Sequence, residues 1–567
     1  MIPLCICYIH MKKTKVIIIL VLAVTVAISL KFCRKAQVPR ADLDLPLAHQ
    51  MTEVIGVNLT PNLPPKNTFL AEGVNPMPHG EPAQQDATAI SGPIDTSKRL
   101  SSDDITYIHL GPGYFGAFTS NIYPNGKRIL WANGVNGLYK LDDETYEIYD
   151  HFETPVSGTY NEEWANEFTD KLNKNNGATG IPTAIKAMSP LKDLSGVYIM
   201  VGKNNWVYVA DNDGLITAYG DAVKNDPTSE IVIKATFQLP PEASGPSVGM
   251  NMTFDGWIII PAENGYLAAV SSDLTEYRMI RLKHSDTEDI TTQGVGYGWV
   301  RNSAAIDNAG GIYLASRNHM HKIVWTGDRF SVDENDGAWT AKYRNGTGNG
   351  TGATPSLMGF DEEDKFVVIT DGDIRMNVTL FWRDEIPENW HSLPDAPSRR
   401  IAGQAPVNMG ELNIEDIQTE QSVVVAGYGA MVVNNRPRNV PFFFPKKGRA
   451  LSVLIGPFGN NPKFQPFGVQ KFQWNPQVQR LEQAWVNTKV SSPNGVPWVS
   501  LGSNHVYFIG ARDNEWTLEA LDWSKGQSTF HYIIGDQKYN SLYSGINIDD
   551  EGRIFYGTLW GFARLNS

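Results

Sequence analysis

The strongest constraint on this chain is a unit that recurs from about residue 105 to the end. Short apolar runs alternate with tight Asp-Gly or Asn-Gly turns. Such dipeptides adopt the left-handed backbone of two-residue hairpin turns, so each run between them reads as one strand of an antiparallel pair. The clearest copy runs Ser247 to Thr253, turns at Phe254-Asp255-Gly256, returns through Trp257 to Ile260, turns again at Glu263-Asn264-Gly265 and leaves through Tyr266 to Val270.

Three further copies share this layout: Asn121 to Tyr139, Asn302 to Leu314 and Gly545 to Tyr556. Less regular ones centre on Trp206–Tyr219, Phe366–Trp382, Val423–Val433 and Val506–Trp523. A three-strand unit cannot bury its own faces, so a run of self-similar units must stack its apolar faces on its neighbours. The expected fold is all-β: a single β-propeller over 101–567, with eight blades by this count and seven an alternative. The β-run Ile105 to Leu110 precedes the first copy, and Phe562 to Leu565 ends the chain. Pairing these two in one blade would close the ring and hide its edges.

Leu138-Tyr139-Lys140-Leu141-Asp142-Asp143-Glu144-Thr145 resembles the Leu-Tyr-Ala-Leu-Asp-x-x-Thr-Gly unit of the quinoprotein alcohol dehydrogenase-like eight-bladed propellers, and Leu518 to Asp522 echoes it. The resemblance covers about a tenth of the chain and implies that fold, with pyrroloquinoline quinone and calcium as the cofactors to look for. Two family features are missing: the adjacent-cysteine pair facing the quinone and the regular tryptophan-docking repeats.

Cysteine occurs only at 5, 7 and 33, which leaves the repeat region without a disulfide, a thiolate nucleophile, a cysteine zinc site or a Cys-x-x-Cys-His attachment for haem c. Residues 41–567 carry 41 basic and 61 acidic side chains, a net of −20. So negative a surface repels phosphate backbones and argues against nucleic acid as a partner.

Near the N-terminus, Lys12, Lys13 and Lys15 precede an uncharged run from Val16 through Leu20 and Val24 to Leu30. Basic residues followed by an apolar stretch are the pattern of an export signal. No small-x-small cleavage site follows, so residues 1–35 read as a hydrophobic helix acting as an uncleaved signal anchor or transmembrane segment. The large domain would then be tethered at the cell envelope, periplasmic or extracellular. Residues 36–100 are proline-rich and aperiodic, and read as a linker or an extended arm lying on the domain.

In a propeller, the loops into each inner strand and the turns between second and third strands share one face, where ligands bind. Calcium needs several oxygen ligands, and the expected set is Glu263, Asn302, Asp371 and Glu420. Asn264, Thr354, Gln404 and Gln421 are the expected pocket-lining residues, the last two from stretches that place amides within apolar strands. The bland reading is that Asp and Asn occupy turns because they cap backbone amides there. These residues leave two functions open: a quinoprotein-like oxidoreductase or calcium-dependent enzyme with a central site, or a non-catalytic propeller that binds a protein or glycan.

Three local motifs point elsewhere. Gly245 to Gly249 matches Gly-x-Ser-x-Gly, but a strand rather than a helix follows, so it reads as a turn into a blade. His319-Met320-His321 places two imidazoles on one strand face, a pattern open to metal. Gly346 to Gly352 offers flexible amides but lacks the Lys-Ser/Thr of a phosphate loop.

Overall fold

The computed structural model describes residues 63–566, apart from 244, 286–298, 361–363, 412, 415, 447–448 and 467. The expected hydrophobic helix with Val16, Leu20, Val24 and Leu30 lies outside the described residues. Among those described, no helix is long and apolar enough to cross a membrane.

The fold is mostly β, a propeller of sheets whose strands succeed one another in chain order. Eight separate sheets occur among the described residues, each built on four antiparallel strands. Numbered along the chain, they span 117–153, 199–238, 251–281, 305–342, 356–406, 424–487, 498–535 and 546–565. Each repeat copy found in the sequence falls in a different sheet. The strand Ile105–His109 pairs antiparallel with Gly561–Leu565, Ile105 opposite Leu565. The two ends of the domain therefore share the eighth sheet, as expected from the edge argument. The Asp142 turn of the family-like motif and the Asp522 turn of its echo occupy the same place in the first and seventh sheets, and both carboxylates accept backbone N–H groups.

Apolar alternation explains how the sheets stack. In Trp257–Pro261 of the third sheet, Ile258 and Ile260 pack with Met200 and Ile216 of the second, while Ile259 packs with Ile306 and Ile312 of the fourth. Side chains of period two serve both neighbours, which is why these strands read as unbroken apolar runs. Such clusters join each consecutive pair of sheets, and the last links Phe555 and Phe562 of the eighth to Leu130 and Leu141 of the first.

Three helices were not anticipated by the all-β expectation. Helix α1 (Glu162–Lys174) and helix α2 (Ile181–Met188) lie between the first and second sheets, and α3 (Ser452–Phe458) lies between the second and third strands of the sixth. Their apolar faces meet in one cluster with Leu542, Leu559 and Trp560. Asn161 caps α1 by accepting from Trp164 N.

Residues 70–88 circle the axis. Asn75 donates to Ile548 O in the eighth sheet and its carbonyl accepts from Thr119 N in the first. Pro76 O then accepts from Val201 N in the second, and Pro82 O from Asn251 Nδ2 in the third and Ile306 N in the fourth. Ala83 O accepts from Leu357 N, Gln85 O from Val425 N and Asp86 O from Val499 N, reaching the fifth, sixth and seventh sheets in turn. Every partner lies on the innermost strand of its sheet. The segment forms a collar that satisfies backbone groups the inner strands would otherwise leave open. It then continues as Ala87–Thr88, parallel to the inner strand of the seventh sheet.

Candidate functional site: an axial cavity

Above the collar lies a cavity of about 550 Å³, within the range of small-molecule sites. The collar contributes Pro78, His79 and Asp86, the helical cap Met188, Leu191 and Leu451, and the loops into inner strands most of the remaining wall.

Its collar end is built around an ion pair. His79 Nδ1 sits 2.8 and 2.9 Å from the two carboxylate oxygens of Asp86, and side-chain exposures are 9% and 2%. Burial disfavours the imidazolium, but the Asp86 carboxylate outweighs it and raises His79 above its ordinary value. The backbone here is held in the left-handed region, with φ of 63° at His79, 60° at Gln84 and 57° at Asp86. Each such residue costs about 1 kcal/mol or more and persists only where surroundings impose it. Glu81 imposes part of it, its carboxylate accepting from Ala83 N and Gln85 N at 2.5 and 2.9 Å. Burial nevertheless pushes Glu81 up to about 7. Gly80 has φ of 82°, and a Cβ there would come within 2.8 Å of the Trp498 indole.

The lining also includes Glu420, Asn435, Arg436 and Tyr543. Glu420 accepts from Arg301 Nη2 at 2.8 Å, and Arg436 Nε donates to Asp416 at 2.9 Å. Asn435 Oδ1 accepts from Glu420 N and Thr419 Oγ1, which fixes the loop. Burial, assisted by Glu420, raises Tyr543 and keeps its hydroxyl protonated. Charges around the cavity thus occur as neutralising pairs.

Of the residues expected from sequence, Asn302, Thr354 and Glu420 line this cavity. Gln421 is buried beside it, accepting from Thr419 Oγ1 at 3.0 Å. Glu263, Asn264, Asp371 and Gln404 are not part of its lining. Asn264 Nδ2 donates to Glu242 O in a peripheral turn, and Glu263 N donates to Pro246 O beside it. Asp371 caps its own turn, accepting from Asn377 N at 2.8 Å and Asn377 Nδ2 at 2.6 Å, while burial raises it to about 6. Gln404 lies on the outermost strand of the fifth sheet. The reason is geometric. A loop into an inner strand starts at the axis, whereas a turn between second and third strands starts one or more strand spacings of about 4.8 Å farther out.

The expected calcium set therefore does not assemble. Among the described residues no three His, Cys, Asp or Glu side chains group as a metal would need. Pyrroloquinoline quinone does not fit either. It is a polycarboxylate, and the nearest guanidinium groups, of Arg301 and Arg436, are already engaged by carboxylates. His319 and His321 do share a strand face, their rings 6.0 Å apart. Both ring nitrogens of His321 are taken, by Ser316 Oγ and Thr340 Oγ1, and burial lowers it to about 3. Gly245 to Gly249 leads into the strand Asn251–Met252, with no helix. Gly352, ending the glycine-rich loop, lies where a Cβ would be 2.2 Å from Thr419 O, so close loop packing requires it.

The sequence reading missed His79, Asp86 and Tyr543. His79 and Asp86 lie in the aperiodic segment taken as linker or arm. The one signal for them was that this segment is not low-complexity.

No family model matches the chain. An uncharacterized protein of Archaeoglobus fulgidus is 32% identical over 458 residues, covering 79% of each chain. The chain belongs to that protein's family. Among solved structures, quinohemoprotein alcohol dehydrogenase from Comamonas testosteroni is similar in fold, with a TM-score of 0.46 at 11% identity over 86% of this chain and 77% of that one. A europium-containing methanol dehydrogenase gives 0.42 at 9% identity over 86% and 90%. BamB from Moraxella catarrhalis gives 0.36 at 9% over 65% and 94%. These likenesses concern fold alone.

Proposed function

We propose that this protein is an eight-bladed propeller that binds a small, uncharged, partly apolar molecule in its axial cavity. One observation carries the reading. The cavity lies between collar and helical cap with one side open to solvent, its walls are largely apolar, and its charged groups are matched in pairs. A largely apolar pocket whose own charges are already matched favours a ligand with an apolar body and a hydroxyl or carbonyl end, because an unmatched charge would find no partner there. Polar groups remain to orient that end. Ser422 and Asn547 line the cavity at 6% exposure each, and their side chains make no hydrogen bond to the described residues.

The test is binding of hydroxy- and keto-compounds, measured by native mass spectrometry and thermal shift on the full chain. Val197 lines the cavity yet is 45% exposed, so Val197→Trp should fill the space without disturbing a core. Binding that is lost in this variant supports the reading. Binding that survives unchanged contradicts it.

We also place the domain at the cell envelope, on the support of the basic and apolar run from Lys12 to Leu30. Deleting residues 1–35 should move the protein from membrane to soluble fractions. A protein or glycan partner would be met at Phe442 and Phe443, which are 59% and 61% exposed. Their replacement by serine should leave small-molecule binding intact.

A further inference from the structure

Resting on the cavity reading above, we propose that His79 is a general base of the axial cavity, that Asp86 is its positioning residue, and that the substrate class is a small α-hydroxy ketone. Three observations support this.

The first is the geometry of the pair. Asp86 takes up Nδ1 through both oxygens, which fixes the imidazole and leaves Nε2 as the reactive nitrogen. Nε2 makes no hydrogen bond to the described residues, and it is absent from the fully enclosed polar atoms that lack one. It is therefore not sealed in the packing, and His79 lines the cavity.

The second is cost. His79 and Asp86 both hold left-handed backbone within a collar fixed to the inner strands. A purely structural ion pair needs no such conformation. Strain of this kind gathers at functional sites.

The third is the complement of donors. Tyr543 keeps its hydroxyl proton, and the Asn547 carboxamide and Ser422 hydroxyl have hydrogen-bonding capacity unspent on the described residues. Such groups suit an oxygen that gains negative charge.

The step follows. The Nε2 lone pair takes a proton from the carbon between carbonyl and hydroxyl, forming N–H as C–H breaks. The C–H electron pair becomes the enolate π bond, and the carbonyl pair moves onto oxygen, where the donors receive it. Asp86 stabilises the imidazolium through Nδ1–H. Return of the proton to the same carbon gives exchange; if the hydroxyl proton first passes to the former carbonyl oxygen, its return to the neighbouring carbon gives isomerisation. No oxidant is needed.

The probe is 2-hydroxyacetophenone in deuterated water, with α-proton exchange followed by NMR and binding by thermal shift on the full chain. Wild type should exchange it, and His79→Gln should bind within a few-fold yet exchange about 100-fold or more slowly, the usual worth of a general base. The pH–rate profile adds a readout that a merely structural role would not move. Exchange should rise with pH through a midpoint above that of ordinary histidine, raised by Asp86 and by the neighbouring Glu81, and Asp86→Asn should bring the midpoint down. Equal exchange in His79→Gln, or an unmoved midpoint in Asp86→Asn, would overturn the assignment while leaving the cavity reading intact. Failure of wild type to bind this ketone or any other hydroxy- or keto-compound would instead remove the cavity reading itself, and with it this step.

Discussion

The sheets and the collar are held by different forces. In the sheets, nearly every inner and middle strand is buried on both faces, and apolar clusters join each sheet to the next. The collar gives only Leu70, Ala71, Met77, Ala83 and Ala87 to those clusters, relies otherwise on backbone hydrogen bonds and a buried ion pair, and carries left-handed residues at a cost. Burial of apolar area is additive and forgiving of sequence. Hydrogen-bonded strained backbone depends on single contacts. The difference teaches that the ring supplies most of the apolar burial, while the segment threaded through it supplies the strained, polar part of the cavity wall.

That contrast can be broken where the ring is most densely packed. Phe366 is fully buried against Trp382, Tyr428 and Trp474. Phe366→Ala should cost about 3–5 kcal/mol in denaturant unfolding and change nothing specific to the cavity. Lys140 is buried between the first and second sheets, donating to Asp221 at 2.9 Å. Lys140→Ala leaves that carboxylate short of its cation and should cost about 3 kcal/mol or more by the same measurement.

The collar should respond differently. Gly80→Ala forces a side chain against Trp498 at a left-handed position. The expected loss is about 1–3 kcal/mol, smaller than for Phe366, together with new proteolytic cleavage confined to residues 70–90 and loss of ligand binding. Cleavage spread through the sheets would show that collar and ring unfold as one unit.

A pH-dependent effect sharpens the electrostatic side. Burial lowers Lys471 to about 7, below an unfolded lysine near 10.4. Between those values the unfolded chain binds more protons than the folded one, so stability should rise as pH increases from about 7 to about 10. Lys471→Met should flatten that rise, as read from unfolding midpoints across pH. Least of all, Glu515→Gln removes the partner of exposed Arg99 and should leave the midpoint unchanged.

The same division explains what could be read from the sequence. Asp255-Gly256 and Asn264-Gly265 disclose their hairpin because the turn demands those residue types, and Ile258 to Ile260 disclose a strand buried on both faces. Four sheets were legible in this way, and four more left less regular copies of the same pattern. Helix α1 left a weaker trace in Trp164, Phe168 and Leu172 after the Asn161 cap, submerged among strand signals. The collar left almost none. It binds through the carbonyls of Pro76, Pro82, Ala83 and Gln85, and a carbonyl carries no residue signature. Asn302, Thr354 and Glu420 reach the cavity, with Gln421 beside it, because they belong to loops that begin at the axis. Glu263, Asn264, Asp371 and Gln404 failed because sharing a face is not the same as sharing a radius.

Backbone hydrogen exchange on the full chain tests the central claim most directly. With the collar threaded around the axis, the amides of Val201, Ile306, Leu357, Val425 and Val499, which donate to collar carbonyls, should exchange as slowly as amides paired strand to strand. Fast exchange at those five positions, beside slow exchange elsewhere in the sheets, would contradict it.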